Sequence, residues 1–98
     1  MFNKILVVCV GNICRSPTGE ALLKQLVPDC EVRSAGVQAV VGKPADEKAK
    51  NIAGKYGVEM ESHIARQLDA AMCHEADLIL VMETSHIRAV DKICPTVR

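Results

Sequence analysis

The chain has 98 residues, of which 49% are hydrophobic but only one is Phe and one Tyr, so it is read as one domain, residues 1–98, with an aliphatic core near the small end of what a chain can bury. Twelve basic and twelve acidic residues cancel, which argues against a general binder of nucleic acid or membrane surfaces. The apolar run at the N-terminus is too short for a signal-peptide core or a bilayer span, so a cytoplasmic location is expected.

Residues 4–8, Lys-Ile-Leu-Val-Val, have the length and β-branched content of a buried strand. Pro17 sits where the first turn of a helix begins. Between them lies a loop, Cys9-Val10-Gly11-Asn12-Ile13-Cys14-Arg15-Ser16. Gly11 and Asn12 tolerate left-handed backbone angles, so the chain can curl until successive N–H groups point inward and form an anion nest. Ser16 is expected to cap the helix, whose free amides and dipole add positive potential at the same place. Such surroundings favour thiolate over thiol, which makes Cys9 the candidate nucleophile. Arg15 closes the ring with a planar guanidinium able to hold two phosphoryl oxygens at once. No Gly-Lys-Ser/Thr follows, so this is not a Walker loop, and the glycine spacing is wrong for a dinucleotide fingerprint. The bland alternative makes Cys9 a buried strand-end cysteine and Arg15 surface charge.

A helix over 20–27 carries Ala21, Leu22, Leu26 and Val27 on one face and ends at Pro28. A second strand is expected over 31–35. Ala45, Ala49, Ile52, Ala53 and Tyr56 recur at helical spacing, with Gly57 placed to terminate that helix. Leu68, Ala71 and Met72 suggest a short helix. Residues 78–82, Leu-Ile-Leu-Val-Met, are continuously apolar, as in a parallel strand buried on both faces. Ile87, Val90, Ile93 and Cys94 form a last helical stripe closed by Pro95. The fold class is therefore α/β: a three-layer arrangement with helices on both faces of a parallel sheet of strand order 2-1-3. The free edge of the third strand would carry unpaired amides without a Lys, Pro or bulge, so the expectation is either a marginally stable chain or one whose edge another chain shields, self-association through it being one way.

The five cysteines are not at zinc-like spacing, and no metal site is expected. Cys14, on the same loop as Cys9, has two readings: a thiol that traps an oxidised Cys9 as a reversible disulfide, or plain packing. Cys30, Cys73 and Cys94 have no evident partners and read as reduced thiols. His74 and His86 read as solvent-facing.

The segment from Val8 to Pro17 resembles the signature of the low-molecular-weight protein-tyrosine phosphatases, and its place at the N-terminus is where that family carries it. The likeness continues through Ser34-Ala35-Gly36, Gly42-Lys43-Pro44-Ala45-Asp46, Ser62-His63-Ile64-Ala65-Arg66-Gln67-Leu68 and Asp77-Leu78-Ile79-Leu80-Val81-Met82-Glu83. It is closest to the bacterial members associated with exopolysaccharide production.

The resemblance implies a phosphotyrosine-protein phosphatase in which Cys9 attacks phosphorus, Arg15 binds phosphate and Ser16 hydrogen-bonds the thiolate. Residues Val10, Gly11, Asn12, Ile13, Cys14, Arg15 and Ser16 would cradle the phosphate, with Asn12 pinned by Ser34 and His63. Residues 37–41 match the family's variable wall, where Val40 and Ile13 would line the slot for an aryl ring. The implied partners are a phosphotyrosine protein, by family likeness a bacterial tyrosine kinase, and inorganic phosphate or vanadate as ligand; no cofactor is implied. The family continues into a fourth strand, an Asp-Pro-Tyr loop with the general acid, and a last helix. The 98 residues contain no Asp-Pro pair, so a truncated chain that binds phosphate with little turnover is the alternative expectation, since a general acid is worth about 10² to 10⁴ in rate. Arsenate reduction, the chemistry of a related family, requires a close downstream cysteine pair, and Cys73 and Cys94 stand on different helical segments.

Overall fold

The computed structural model describes residues 3–94. In chain order it has β1 (Lys4–Cys9), α1 (Arg15–Leu26), β2 (Glu31–Gly36), α2 (Glu47–Lys55), α3 (Ala70–Glu75), β3 (Leu78–Val81) and α4 (Ser85–Ile93). The strands form one parallel sheet of order β2-β1-β3, as the alternation of strands and helices predicts. In register, Cys9 lies opposite Gly36 at the C-terminal end of the sheet, and Val8 lies opposite Val81.

β1 is central, so its side chains are buried alternately on two faces. Ile5 and Val7 pack with Val32 beneath Leu23 and Val27, on the α1 side. Leu6 and Val8 pack with Ala35, Leu68, Cys73, Val90 and Cys94, on the side of α3 and α4. Each aliphatic side chain so buried is worth about 1.5–3 kcal/mol, so β1 is anchored on both faces. A satellite cluster of Ala45, Ala53, Val58 and Met60 joins α2 to Ala21 of α1. Asp46 and Asp69 cap α2 and α3 by accepting from the Ala49 and Met72 amides. Asp77 accepts from the backbone N–H groups of Asn3 and Lys4, both at 3.0 Å, tying the start of β1 to that of β3. These bonds, Asn3 first, hold its carboxyl below the usual carboxylate range.

Several sequence expectations are corrected. The inward face of α1 is Ser16, Pro17 and Glu20 with Leu23 and Val27, whereas Leu22 is exposed and Leu26 is 73% exposed. Ile52, Tyr56 and Ile87 also point outward. β3 is only half-buried, because among the described strands it occupies an edge. His86 is buried rather than solvent-facing, since it shares the inward stripe of α4 with Val90. Cys73 and Cys94 are not free thiols: they form a disulfide with a Cα–Cα distance of 6.4 Å. Pro95 lies outside the described residues. No helix among them is long and apolar enough to cross a membrane.

Candidate active site

β1 ends at Cys9 and α1 begins at Arg15, so residues 10–14 alone turn the chain from sheet to helix. The turn is made by Asn12, whose φ of 58° is the one left-handed value among the described non-glycine residues. Gly11, expected to share that role, does not adopt a positive φ.

Asn12 is fully buried and its side chain is fully bonded. Nδ2 donates to Ser16 Oγ at 2.8 Å and to Ser34 Oγ at 2.9 Å, while Oδ1 accepts from the Arg66 amide at 2.9 Å. Its carbonyl oxygen lies 2.6 Å from His63 Nε2; a carbonyl only accepts, so Nε2 carries the proton. Leaving any one of these buried groups unpaired costs about 1–3 kcal/mol, which is how the surroundings hold a backbone conformation that most residues resist.

The same network reaches the sulfur. Ser16 Oγ accepts from Asn12, which leaves its own hydrogen for Cys9 Sγ, 2.8 Å away. The Asn12 amide points at that sulfur from 3.3 Å. Two donors thus converge on one buried sulfur, an arrangement that accommodates negative charge and that the N-terminus of α1 reinforces. The helix cap expected at Ser16 is not formed. Cys14 occupies the cap position without a side-chain bond, and Ser16, one residue inside the helix, spends its hydroxyl on the sulfur.

Two residues that sequence reasoning did not assign complete the support. Glu20 is buried on the inward face of α1, where Oε1 accepts from Ser34 Oγ and Oε2 pairs with Lys24 Nζ at 2.7 Å. His63 Nδ1 and Arg66 Nη2 face the same carboxylate at 4.0 and 3.9 Å. Its place four residues after Ser16, on the same helix face, was the available signal. Glu20, Lys24, His63 and Arg66 also line a cavity of about 260 Å³ that Met60 and Ile64 help to wall. Gly36, at the end of β2, is the other. A Cβ there would stand 2.4 Å from Val10 O and 3.0 Å from Asn12 N, so only glycine lets the loop lie against the sheet.

The wall expected over 37–41 runs beside the cradle. The amides of Val37, Gln38 and Val40 donate to the carbonyls of Cys9, Val10 and Gly11 at 2.9–3.0 Å. Gln67 braces the wall by accepting from the Ala39 amide and donating to Val37 O. A Cβ on Gly11 would meet Val40 Cγ2 and Ile13 Cγ1 at 3.6 and 3.7 Å, which places both apolar side chains over the same point of the loop.

Arg15 opens α1, and its Nη1 donates to Glu83 Oε1 at 2.9 Å, so the guanidinium is held against the turn after β3. That bond, then the charge of Arg15, holds the Glu83 carboxyl below the usual carboxylate range. Cys14 is exposed and free, as is the buried Cys9. Cys73 and Cys94, separate in sequence, are together in space, which removes the spacing argument against an arsenate relay. Both are 2% exposed or less, however, so an incoming disulfide exchange from Cys9 meets covered sulfurs.

The family described as low molecular weight phosphotyrosine protein phosphatase matches residues 4–98. The chain is 55% identical over 98 residues to the low molecular weight protein-tyrosine-phosphatase Wzb of Salmonella typhi, covering all of this chain and 66% of that protein. The crystal structure of the Erwinia amylovora tyrosine phosphatase AmsI matches with a TM-score of 0.97 at 56% identity, over 99% of this chain and 64% of that one. Vibrio vulnificus Wzb in complex with benzylphosphonate matches with a TM-score of 0.97 at 50% identity, over 99% and 69%. The chain thus spans about two thirds of the length of the relatives it matches.

Proposed function

Because the chain belongs to the low molecular weight phosphotyrosine protein phosphatase family, we propose that it hydrolyses phosphotyrosine in a protein substrate through a cysteinyl-phosphate on Cys9. The observation that carries this reading is the convergence of Ser16 Oγ and the Asn12 amide on a sulfur seated at the end of the central strand.

In the first step Cys9 Sγ attacks phosphorus, the P–O bond to the phenol breaks, and the departing oxygen takes a proton from water. In the second, water attacks phosphorus, the S–P bond breaks, and inorganic phosphate leaves with Cys9 restored. Inward amides of residues 10–16 and the Arg15 guanidinium bind the phosphoryl oxygens and stabilise the charge spread over them. Asn12, Ser34 and His63 keep the loop in shape throughout. Ile13 and Val40 flank the aryl ring, which suits a phosphotyrosine better than an alkyl phosphate. Cys14 serves as the thiol that captures an oxidised Cys9. The phosphoprotein of this reading is a bacterial tyrosine kinase of the exopolysaccharide type, met in the cytoplasm, as the family resemblance of the sequence implies; the names of Wzb and AmsI support the tyrosine-phosphatase activity.

The test is phosphate release by the 98-residue chain from p-nitrophenyl phosphate and from a phosphotyrosine peptide. Release that disappears in Cys9→Ser, with a phosphorylated Cys9 peptide trapped by rapid acid quench, is the expected result. The 98 residues contain no Asp-Pro pair, so release is expected to slow steeply as the leaving group becomes more basic. Binding of phosphate or vanadate with no release from either substrate would instead establish the binding reading.

A further inference from the structure

Three hydrogen bonds, two between backbone groups and one from a backbone amide to a side chain, lead from the root of α3 to the cradle. The Leu68 amide donates to Gly36 O at 2.9 Å, the Gly36 amide donates to Arg66 O at 3.0 Å, and the Arg66 amide donates to Asn12 Oδ1 at 2.9 Å. His63, on the same segment, holds Asn12 O. α3 itself has six residues, too few to be stable by its own hydrogen bonds, so its position depends on what it is attached to. Besides the packing of Met72 on the core, the attachment is Cys73, bonded to Cys94 at the C-cap of α4; Cys94 Sγ also lies 3.5 Å from Asp69 O, the residue that caps α3.

We propose that the Cys73–Cys94 disulfide is a redox-sensitive tie that sets the oxyanion affinity of the cradle by keeping residues 63–69 against Asn12. The loop it closes, with a sequence separation of 21, contains β3 and also Glu83, which holds Arg15. One covalent bond therefore joins the two segments that position the residues on either side of the cradle.

The chemistry is a two-electron exchange. A dithiol attacks one sulfur, the S–S bond breaks, Cys73 and Cys94 leave as thiols, and the reductant closes to its own disulfide. Cys9 must be a free thiol for the proposed reaction, so the reducing conditions that keep it so also act on this bond. Both sulfurs are covered by the cluster containing Leu6, Val8, Leu68 and Val90. Reduction thus requires a local opening of α3 from α4, the motion that frees the root of α3.

The inference rests on the phosphatase reading only for its affinity measurement, and a second measurement stands apart from it. In the full 98-residue chain, mass spectrometry of unreduced peptides is expected to show Cys73 and Cys94 linked, and a dithiol to add two hydrogens. Reduction is then expected to weaken binding of inorganic phosphate about 2- to 30-fold, the span of couplings carried by packed networks. It is also expected to speed amide exchange at Arg66 and Leu68 while Val7 and Val8 stay protected. Cys73→Ala/Cys94→Ala should show the weakened affinity at the outset and no further response to dithiol, which separates this effect from any on Cys9 and Cys14. If that variant fails to fold, dithiol titration of the unaltered chain decides. Recovery of Cys73 and Cys94 as free thiols before reduction, or reduction that leaves exchange at Arg66 and Leu68 unchanged, overturns the proposal. Reduction that leaves phosphate affinity unchanged also overturns it, whereas a chain that binds no phosphate in either state refutes the phosphatase reading and the affinity part of the proposal together, loss of protection at Arg66 and Leu68 then showing only that the disulfide holds residues 63–69.

Discussion

Arg15 Nη1 and Glu83 Oε1 stand 2.9 Å apart, joining the first residue of α1 to the turn after β3 across 68 positions of sequence. Both side chains are about half exposed, so the pair adds little to stability, and its consequence is the place of the guanidinium. Arg15 holds Glu83 ionised below the usual carboxylate range. The carboxylate is therefore paired at neutral pH, and the pairing is lost as pH falls through that lowered value. In Arg15→Ala, carbon-detected NMR should find Glu83 titrating at higher pH than in the parent chain. Glu83→Ala should weaken phosphate binding at neutral pH, by no more than about five-fold given what exposed pairs are worth, and the difference from the parent should vanish in acid. An unmoved Glu83 titration would mean that the pair does not form in solution.

Asn12 serves two purposes that substitution can separate. Asn12→Gly accepts the left-handed backbone but removes the side-chain bonds to Ser16, Ser34 and Arg66. Asn12→Ala removes the same bonds and adds a backbone penalty of about 1–2 kcal/mol. Both should lose phosphate binding, with Asn12→Ala less stable than Asn12→Gly by about that penalty in urea denaturation. Equal midpoints would show that the cradle relaxes out of the left-handed conformation.

Gly36 and Gly54 offer a matched comparison of one methyl group. At Gly36 the new Cβ meets backbone atoms of Val10 and Asn12, which cannot move without opening the cradle, whereas at Gly54 it meets nothing within 4 Å. Gly36→Ala is expected to cost about 1–3 kcal/mol and to abolish phosphate binding. Gly54→Ala, inside α2, should add about 0.5–1 kcal/mol and leave binding alone. Calorimetric melting with phosphate titration of the two variants checks both signs.

Glu20 is the buried charge on which the support network closes. Glu20→Gln keeps an acceptor for Ser34 but leaves Lys24, Arg66 and His63 facing a neutral amide, while Glu20→Ala removes the acceptor as well. The alanine variant should lose about 1–3 kcal/mol, the cost of leaving the buried Ser34 hydroxyl without its acceptor, because Lys24 and Arg66 are about half exposed and stay hydrated, and the glutamine variant less. Phosphate release should fall with the loss of order at Ser34. A Glu20→Ala chain as stable as its parent would show that water accepts from Ser34 in its place.

The candidate cradle loop was legible because its residue types are local requirements. A strand that ends in Cys9, a turn that tolerates Asn12, and a cation beside Pro17 are specified within a few positions, so no knowledge of the rest of the chain is needed to read them. Strand order followed from the alternation of elements, since parallel neighbours need crossovers. Less was legible in the helices. The stripe of Leu22 and Leu26 looked inward by hydrophobicity, yet α1 turns Glu20 and Ser16 toward the sheet because the cradle needs their polar groups there.

Local order, then, was written in the linear chain: the elements, the parallel sheet and the identity of the loop all follow from short-range steric and hydrogen-bonding rules. Contacts between distant positions were not. Ser34 with Glu20, Arg15 with Glu83, Cys73 with Cys94 and the contact of Gly36 with the Asn12 backbone depend on how far each element is displaced against its neighbours. That displacement is set by the joint packing of all the side chains at once, and no single stretch of sequence carries it.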